Sequence, residues 1–394
     1  MKKPLIISGL PEGDSGVGRL IEYLKEKNDN NFSMISVNIN FKNSSKNKFN
    51  KFILKIINKI VKLCYKFLIK TKLRFIKGRK IILIHPQSIG FNTALKLIKN
   101  NKIFYYVMDN SFFCIRSYNY IPKERTSCFR CIEKGYNQIK KNKCNPFPRG
   151  KLKNNLKFLN RLEENKKQIY FLVQNENQKK IVMKHFNDVK CEVIGLRTSD
   201  MTIPQEGTFK KPITDYDIVY HAASHSAKGI LFVLKMSKYL KEYKLLIPDS
   251  MKNINERLNV KLNKKDFSNV CFKKMRWDTG LKKNVMGAKI VLNPSLWSTP
   301  IEGALIKSLA YNGMVASFNL SYSFPSEIPD EVLLKMDKIS FKNSSNILRE
   351  ILENKEIRKQ YRKKAKEWIK KFIKSDSMYE ELKKIIFYKK INLK

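Results

Sequence analysis

The feature that most constrains this chain is an alternation of short apolar runs with longer amphipathic stretches, which restarts once. Residues 4–8, 34–39, 80–84, 103–108, 169–173 and 191–194 read as buried strands. Residues 19–27, 91–98, 151–166 and 178–186 carry apolar residues at helical spacing between them. A stretch with Gly and Pro and little periodicity, 195–213, reads as a linker. Strands are then expected at 216–220, 243–247, 270–272, 289–292 and 314–317, with helices at 230–240 and 303–311 and a basic helical tail from 344. Strand–helix alternation in both halves predicts an α/β chain with two doubly wound, Rossmann-like domains of parallel strands.

At 394 residues the chain exceeds the size at which one core keeps growing. The expected division is 1–205 and 206–394. An apolar fraction of 42% supports real cores and argues against disorder. No uninterrupted apolar run is long enough for a membrane-spanning helix. The apolar run after Lys2 and Lys3 is too short for a signal peptide, so it reads as the first buried strand of a cytosolic protein.

Charge is the extreme property, with 80 Lys and Arg against 34 Asp and Glu, a net +46. Such a field attracts anionic ligands and surfaces. Nucleic acid, an anionic membrane, and a merely Lys/Asn/Ile-rich composition all fit it. Residues 46–80 narrow the choice: they hold 13 Lys or Arg and no acid. Lys51, Lys55, Lys59, Lys62, Lys66 and Lys70 form a helical stripe beside Ile53, Ile56, Ile57, Ile60, Leu63, Phe67 and Leu68. A basic amphipathic helix of this kind lies in a membrane interface, or packs its apolar face into its own domain. No zinc-finger, RRM or helix-turn-helix pattern accompanies the charge.

Seven cysteines without a secretory signal argue against a disulfide framework. Four of them, Cys114, Cys128, Cys131 and Cys144, fall in the segment 110–150, which reads as an insertion. One Cys-x2-Cys pair with two flanking cysteines suits a structural zinc site, or four reduced thiols.

In open parallel sheets, ligands bind beyond the carboxyl ends of the strands. Polar loops follow strands at 9–18, His85, Asp109, 221–229 and 294–303, and in two facing domains they converge on one cleft. The stretch from Ala288 to Ala316 contains Asn293-Pro-Ser-Leu-Trp-Ser-Thr-Pro-Ile-Glu-Gly303 and then a helical segment. It resembles a segment of GT-B glycosyltransferases, particularly family 4-like members of the kind that build bacterial surface polysaccharide and lipopolysaccharide. Ile218 to Gly229 resembles the first strand and Lys-Gly loop of the same domain. Gly16-Val17-Gly18-Arg19 resembles the Gly-rich loop after the first strand.

The resemblance implies that 1–205 faces a glycan or lipid-linked glycan acceptor and 206–394 binds a nucleotide-sugar donor, with no catalytic metal and with retention at the anomeric carbon. It implies a hexosyltransferase, cytoplasmic and peripheral at the inner face of the membrane. A Lys-Gly pair opening a helix offers an ammonium, backbone N–H groups and the positive helix end to a diphosphate. Lys228, Gly229 and His225 are therefore expected at the phosphates, Glu302 at sugar or ribose hydroxyls, and Gly303 and Ala304 against the donor, with Gly16 and Gly18 in the N-terminal loop. A carboxylate before a helix also serves as a cap. His85 and Asp109 stand where the acceptor hydroxyl would be oriented or deprotonated.

Two departures from the pattern stand out. Family 4 enzymes place an arginine shortly before the loop lysine; here His221-Ala-Ala-Ser-His225 has none, and His221 or His225 can donate to phosphate instead. They also carry a second glutamate on the following helix; here Ala310 stands at that spacing and Lys307 at the nearby helix position. A non-catalytic binding protein on the same fold is the alternative these departures favour, and a nucleic-acid-binding protein the next.

Overall fold

The computed structural model describes residues 2–40, 48–121, 123–147, 150–204, 212–298, 300–338, 340–374 and 377–389. In chain order the first strands are β1 (Leu5–Ser8), β2 (Ser33–Ser36), β3 (Lys80–Ile84), β4 (Lys102–Tyr106), β5 (Tyr120–Ile121), β6 (Thr126–Ser127), β7 (Ile169–Val173) and β8 (Lys190–Val193). They are followed by β9 (Ile218–Tyr220), β10 (Leu245–Ile247), β11 (Val270–Phe272), β12 (Ile290–Leu292), β13 (Val315–Phe318) and β14 (Leu334–Met336).

The chain forms two compact units. In the first, six parallel strands run in the order β2-β1-β3-β4-β7-β8. Strand β7, Ile-Tyr-Phe-Leu-Val, is buried at every position. That is the signature of a parallel strand covered on both faces, and the reason it reads as a continuous apolar run. In the second unit, six parallel strands run in the order β11-β10-β9-β12-β13-β14. Both sheets are doubly wound, as the alternation predicts.

The units are not two continuous halves. Tyr118–Phe129, which carries the antiparallel β5–β6 hairpin, belongs to the second unit, and the segment from Ser377 belongs to the first. Tyr120 is buried in the core of the second unit with Ile218, Tyr220 and Trp297. In the first unit Met378, Tyr379, Leu382, Ile385 and Ile386 are buried, Tyr379 meets Phe32 edge to face at 6.0 Å, and Lys389 pairs with Glu192 at 2.7 Å. The boundary expected at 205/206, and the linker between 204 and 212, lie outside the described residues.

The first helix begins at Gly16 rather than at Arg19. Ser15 makes this possible, because its hydroxyl accepts from the Gly18 N–H at 3.0 Å and caps the turn. The basic helix spans Lys48–Arg74; positions 46 and 47 lie outside the described residues. It is anchored to the first unit by Leu73, which is fully buried, and by Tyr65, whose hydroxyl donates to the Ser36 carbonyl at 3.1 Å. Among the described residues, no helix is long and apolar enough to cross a membrane.

Candidate functional site

In the second unit the strand order reverses between β9 and β12, so the loops that follow these two strands flank the switch point. They interlock through their backbones. The His221 N–H donates to the Leu292 carbonyl at 3.0 Å, and the Leu296 N–H to the Ala227 carbonyl at 2.8 Å. Gly229 sits at φ 76° in the left-handed region, and a Cβ there would lie 2.0 Å from the Pro294 carbonyl oxygen. Only glycine permits that approach.

This interlock brings Lys228 and Glu302 together. The ammonium lies 2.8 Å from the Glu302 carboxylate, with the side chains only 12% and 15% exposed. Glu302 also accepts from the Trp297 indole N–H at 2.8 Å and from the Ser295 hydroxyl. The Lys228 ammonium sits 4.4 Å from the centre of the Trp297 ring and 5.7 Å from that of Tyr118. Burial pushes the Lys228 pKa down, and the Glu302 carboxylate opposes that shift. Glu302 does not act as a helix cap: its side chain makes no capping bond to the helix Gly303–Tyr311 that it precedes. The first-turn N–H groups of Gly303 and Ala304 therefore have no side-chain cap. A Cβ at Gly303 would meet only Met201, in ordinary contact at 3.7 Å.

The two histidines divide. The Nδ1 of His225 accepts from the Ala227 N–H at 3.2 Å, and its ring lies 5.1 Å from that of Tyr118. His221 faces the helix instead. Its Nδ1 lies 2.8 Å from the Ser308 hydroxyl, which donates to the Ala304 carbonyl at 2.8 Å. The ring nitrogen must then be the donor. The His221 ring stacks on Trp277 at 5.1 Å and 10°. Lys307 is buried, with its ammonium 4.8 Å from the centre of the Trp277 ring.

In the first unit, His85 ends β3 and Asp109 follows β4. The His85 Nε2 stands 3.9 Å from the Asp109 carboxylate. Asp109 accepts from the Gln87 amide at 2.9 Å and from the Ser111 N–H at 2.9 Å. His85 adopts φ 56°, an uncommon backbone state for a non-glycine residue, and its Nδ1 is buried without a partner. Burial pushes its pKa down, against the pull of Asp109, and keeps the ring neutral at pH 7. Gly9 is sterically required beside it, since a Cβ would lie 2.6 Å from the His85 carbonyl oxygen. Gly18 is required as well, at 2.5 Å from the Gly13 carbonyl oxygen, whereas nothing lies within 4 Å of a Cβ at Gly16.

The zinc expectation needs correction. Among the described residues, no three His, Cys, Asp or Glu side chains are placed to hold a metal. The chain itself separates the set: Cys114, Cys131 and Cys144 belong to the first unit, while Cys128 belongs to the segment built into the second. The Cys144 thiol instead lies 3.9 Å from the Asn142 carbonyl. The one Asp-x-Asp is structural too: Asp217 pairs with Lys289 at 2.9 Å and accepts from the Lys244 N–H at 3.0 Å, fixing the entry to β9.

The structure brings Lys228 together with Glu302, and His85 near Asp109, four of the residues that sequence reasoning singled out. Sequence reasoning missed Trp297, Ser295, Trp277 and Tyr118. The tryptophans carried a usable signal, since two of the chain's 3 fall in loops that follow strands. Tyr118 carried none, because its place in the second unit depends on the fold.

No family model matches the chain, and no curated protein matches it. Solved structures do. Sucrose-phosphate synthase from Thermosynechococcus elongatus superimposes with a TM-score of 0.61 at 10% identity, covering 98% of each chain. Anabaena HepE in complex with UDP gives 0.60 at 9% identity, over 97% of this chain and 99% of that one. WaaG, a glycosyltransferase involved in lipopolysaccharide biosynthesis, gives 0.55 at 12% identity, over 98% and 100%. These structural neighbours are GT-B glycosyltransferases, and two Rossmann-like sheets make GT-B the fold of this chain.

Proposed function

We propose that this chain is a glycosyltransferase that moves a sugar from a nucleotide-sugar donor to a saccharide or lipid-linked acceptor in cell-surface polysaccharide assembly. The observation that carries the reading is the Lys228–Glu302 pair at the switch point of the second sheet, beside an uncapped helix start. Lys228, His225 and the backbone at Gly229, Gly303 and Ala304 supply positive charge and N–H donors to the leaving diphosphate. Glu302, once the diphosphate engages Lys228, turns its carboxylate to donor hydroxyls. That exchange needs no metal at the donor. The UDP complex of the HepE neighbour favours a uridine nucleotide. Neutral His85 and Asp109 form the acceptor side, where Asp109 orients or deprotonates the attacking hydroxyl, and Gly16 and Gly18, in the first turn of the first helix, leave room for the donor to approach its N-terminus. We assign a hexosyl donor and retention of configuration on the family resemblance. We carry forward 1–205 and 206–394 as the acceptor and donor halves, amended by the two exchanged segments.

The helix Lys48–Arg74 supports a place on an anionic membrane surface at the cytoplasmic face. Its apolar residues are open to solvent, with Ile60 54% and Phe67 71% exposed, and lysines alternate with them. Sedimentation with anionic liposomes at low salt tests this; protein left in the supernatant would reject it.

A thermal-shift screen against UDP-, GDP-, TDP- and CMP-sugars tests the donor reading. A rise in Tm with one nucleotide class, lost in Lys228→Ala, is expected. No shift with any of them would leave the fold without this activity.

A further inference from the structure

Two cavities of the first unit share the helix Lys48–Arg74 and are lined by cations. The first, about 390 Å³, is walled by Lys55, Lys59, Lys62 and Lys66 with Asn38 and Asn58. The lysine spacing puts all four ammonium groups on one helical face. Asn38 follows β2, and its amide donates to the Gly9 carbonyl, so this cavity opens at the carboxyl end of the sheet. The second, about 330 Å³, is lined by Lys70, Arg74 and Lys151 with Gln87, Asn92 and Asn154. Gln87 is the residue whose amide holds Asp109. Among the described lining residues of both cavities there is no carboxylate. Lys70 registers the crowding: burial, then the charges of Lys66 and Arg74, push its pKa down.

We propose that these two cavities form one acceptor site for a molecule bearing two or more phosphate groups. The phosphates lie along the lysine face, and the reacting hydroxyl is presented beside Gln87 and Asp109. The inference rests on the glycosyltransferase reading and names its acceptor class. An ammonium on a flexible stem suits a tetrahedral phosphate whose angle of approach varies, which a rigid fork does not. The same helix presents lysines to the cavity and apolar residues to solvent, so the phosphates can come from a lipid headgroup as well as from a free glycan.

The experiment compares three full-length proteins: the natural chain, a variant with Lys55, Lys59, Lys62 and Lys66 changed to Ala, and a charge-matched control with the exposed Lys264, Lys265, Lys363 and Lys364 changed to Ala. Binding of tripolyphosphate is measured by calorimetry, and binding to phosphatidylcholine vesicles with and without phosphatidic acid by sedimentation. UDP is present throughout and its own thermal shift is recorded. The groove variant is expected to lose at least about tenfold in affinity for one or both probes, while the control changes by less than about twofold. Loss for tripolyphosphate indicates a free phosphorylated acceptor; loss only for phosphatidic acid vesicles indicates a lipid headgroup. Equal losses in groove variant and control, or no binding by the natural chain, overturn the proposal. An unchanged UDP shift in the groove variant separates its failure from failure of the donor reading. A far-ultraviolet spectrum and Tm matching the natural chain show that the variant is folded.

Discussion

The two side-chain pairs at the carboxyl ends of the two sheets are built to opposite standards. Lys228 and Glu302 are in contact at 2.8 Å through one carboxylate oxygen, and Trp297 and Ser295 both donate to the other. His85 and Asp109 stand at 3.9 Å, and the far nitrogen of the ring has no partner. A buried pair in contact loses heavily if halved. A loose pair with an orphaned ring nitrogen keeps hydrogen-bonding capacity for something that arrives later. The second unit holds its charges ready-made; the first holds an incomplete set. On the proposed function the tight pair would stand on the donor side, where a diphosphate is gripped throughout the reaction, and the loose pair on the acceptor side, where a hydroxyl must enter and lose a proton.

The largest test of this contrast is removal of half of the tight pair. Lys228→Ala should lower unfolding free energy by about 3–5 kcal/mol, because Glu302 is left buried and uncompensated. Combining Lys228→Met with Glu302→Gln should recover much of that stability and restore no transfer of sugar. Denaturant melts and turnover, read together, check both halves of the statement; a double variant that regained activity would reduce the pair to scaffolding.

The loose pair should behave differently. Asp109→Asn is expected to lower turnover by about 10²-fold with little change in Tm, since the amide still accepts from Ser111 but no longer takes a proton. A drop in Tm as large as that of Lys228→Ala would show that the two pairs are not different in kind.

Acid should sharpen the contrast at a smaller scale. His185, packed against Phe112 and Phe186 in the first unit, has its pKa pushed down by burial to about 4. Its Nε2 lies 3.0 Å from the Tyr136 hydroxyl. Folded, it resists a proton that the unfolded chain takes up near its ordinary value. The stabilisation is therefore complete above pH about 6.5 and is lost as pH falls toward about 4, on the order of 3 kcal/mol in all. His185→Phe should flatten that slope in denaturant melts at pH 7, 5.5 and 4.5, and an unaltered slope would remove His185 from the account.

Most of the fold was legible because burial on both faces leaves a plain mark. Strands such as 169–173 and 290–292 are uniformly apolar and bounded by turns, so they and their parallel sense follow from pattern, whereas the three-residue edge strand Leu334–Met336, with Lys335 at its centre, carries no such mark and was not expected. The Lys228–Glu302 site was half legible. Its two charged residues stand at strand-loop-helix junctions, which sequence displays. Its aromatic wall was only partly legible: Trp297 stands in a loop that follows a strand, a signal that was not used, and Tyr118 is distant along the chain. The cysteines misled for the same reason: spacing describes neighbours along the chain, and between Cys114 and Cys131 the chain leaves one unit for the other. The helix-capping role open to Glu302 was settled only by seeing where its carboxylate points.

The exchanged segments have a consequence for how this molecule is made. Tyr118 and Tyr120 leave the ribosome well before β9, yet their burial sites exist only after the second sheet has been synthesised. The first unit likewise lacks the packing of Met378, Tyr379 and Ile386 until the whole second sheet has been synthesised. Neither unit can close in the usual domain-by-domain order, because each holds back a piece that the other's sequence supplies. A fragment cut at the apparent linker would expose apolar surface on both products, and a nascent chain would carry an unfinished first unit until residues 378–386 emerge.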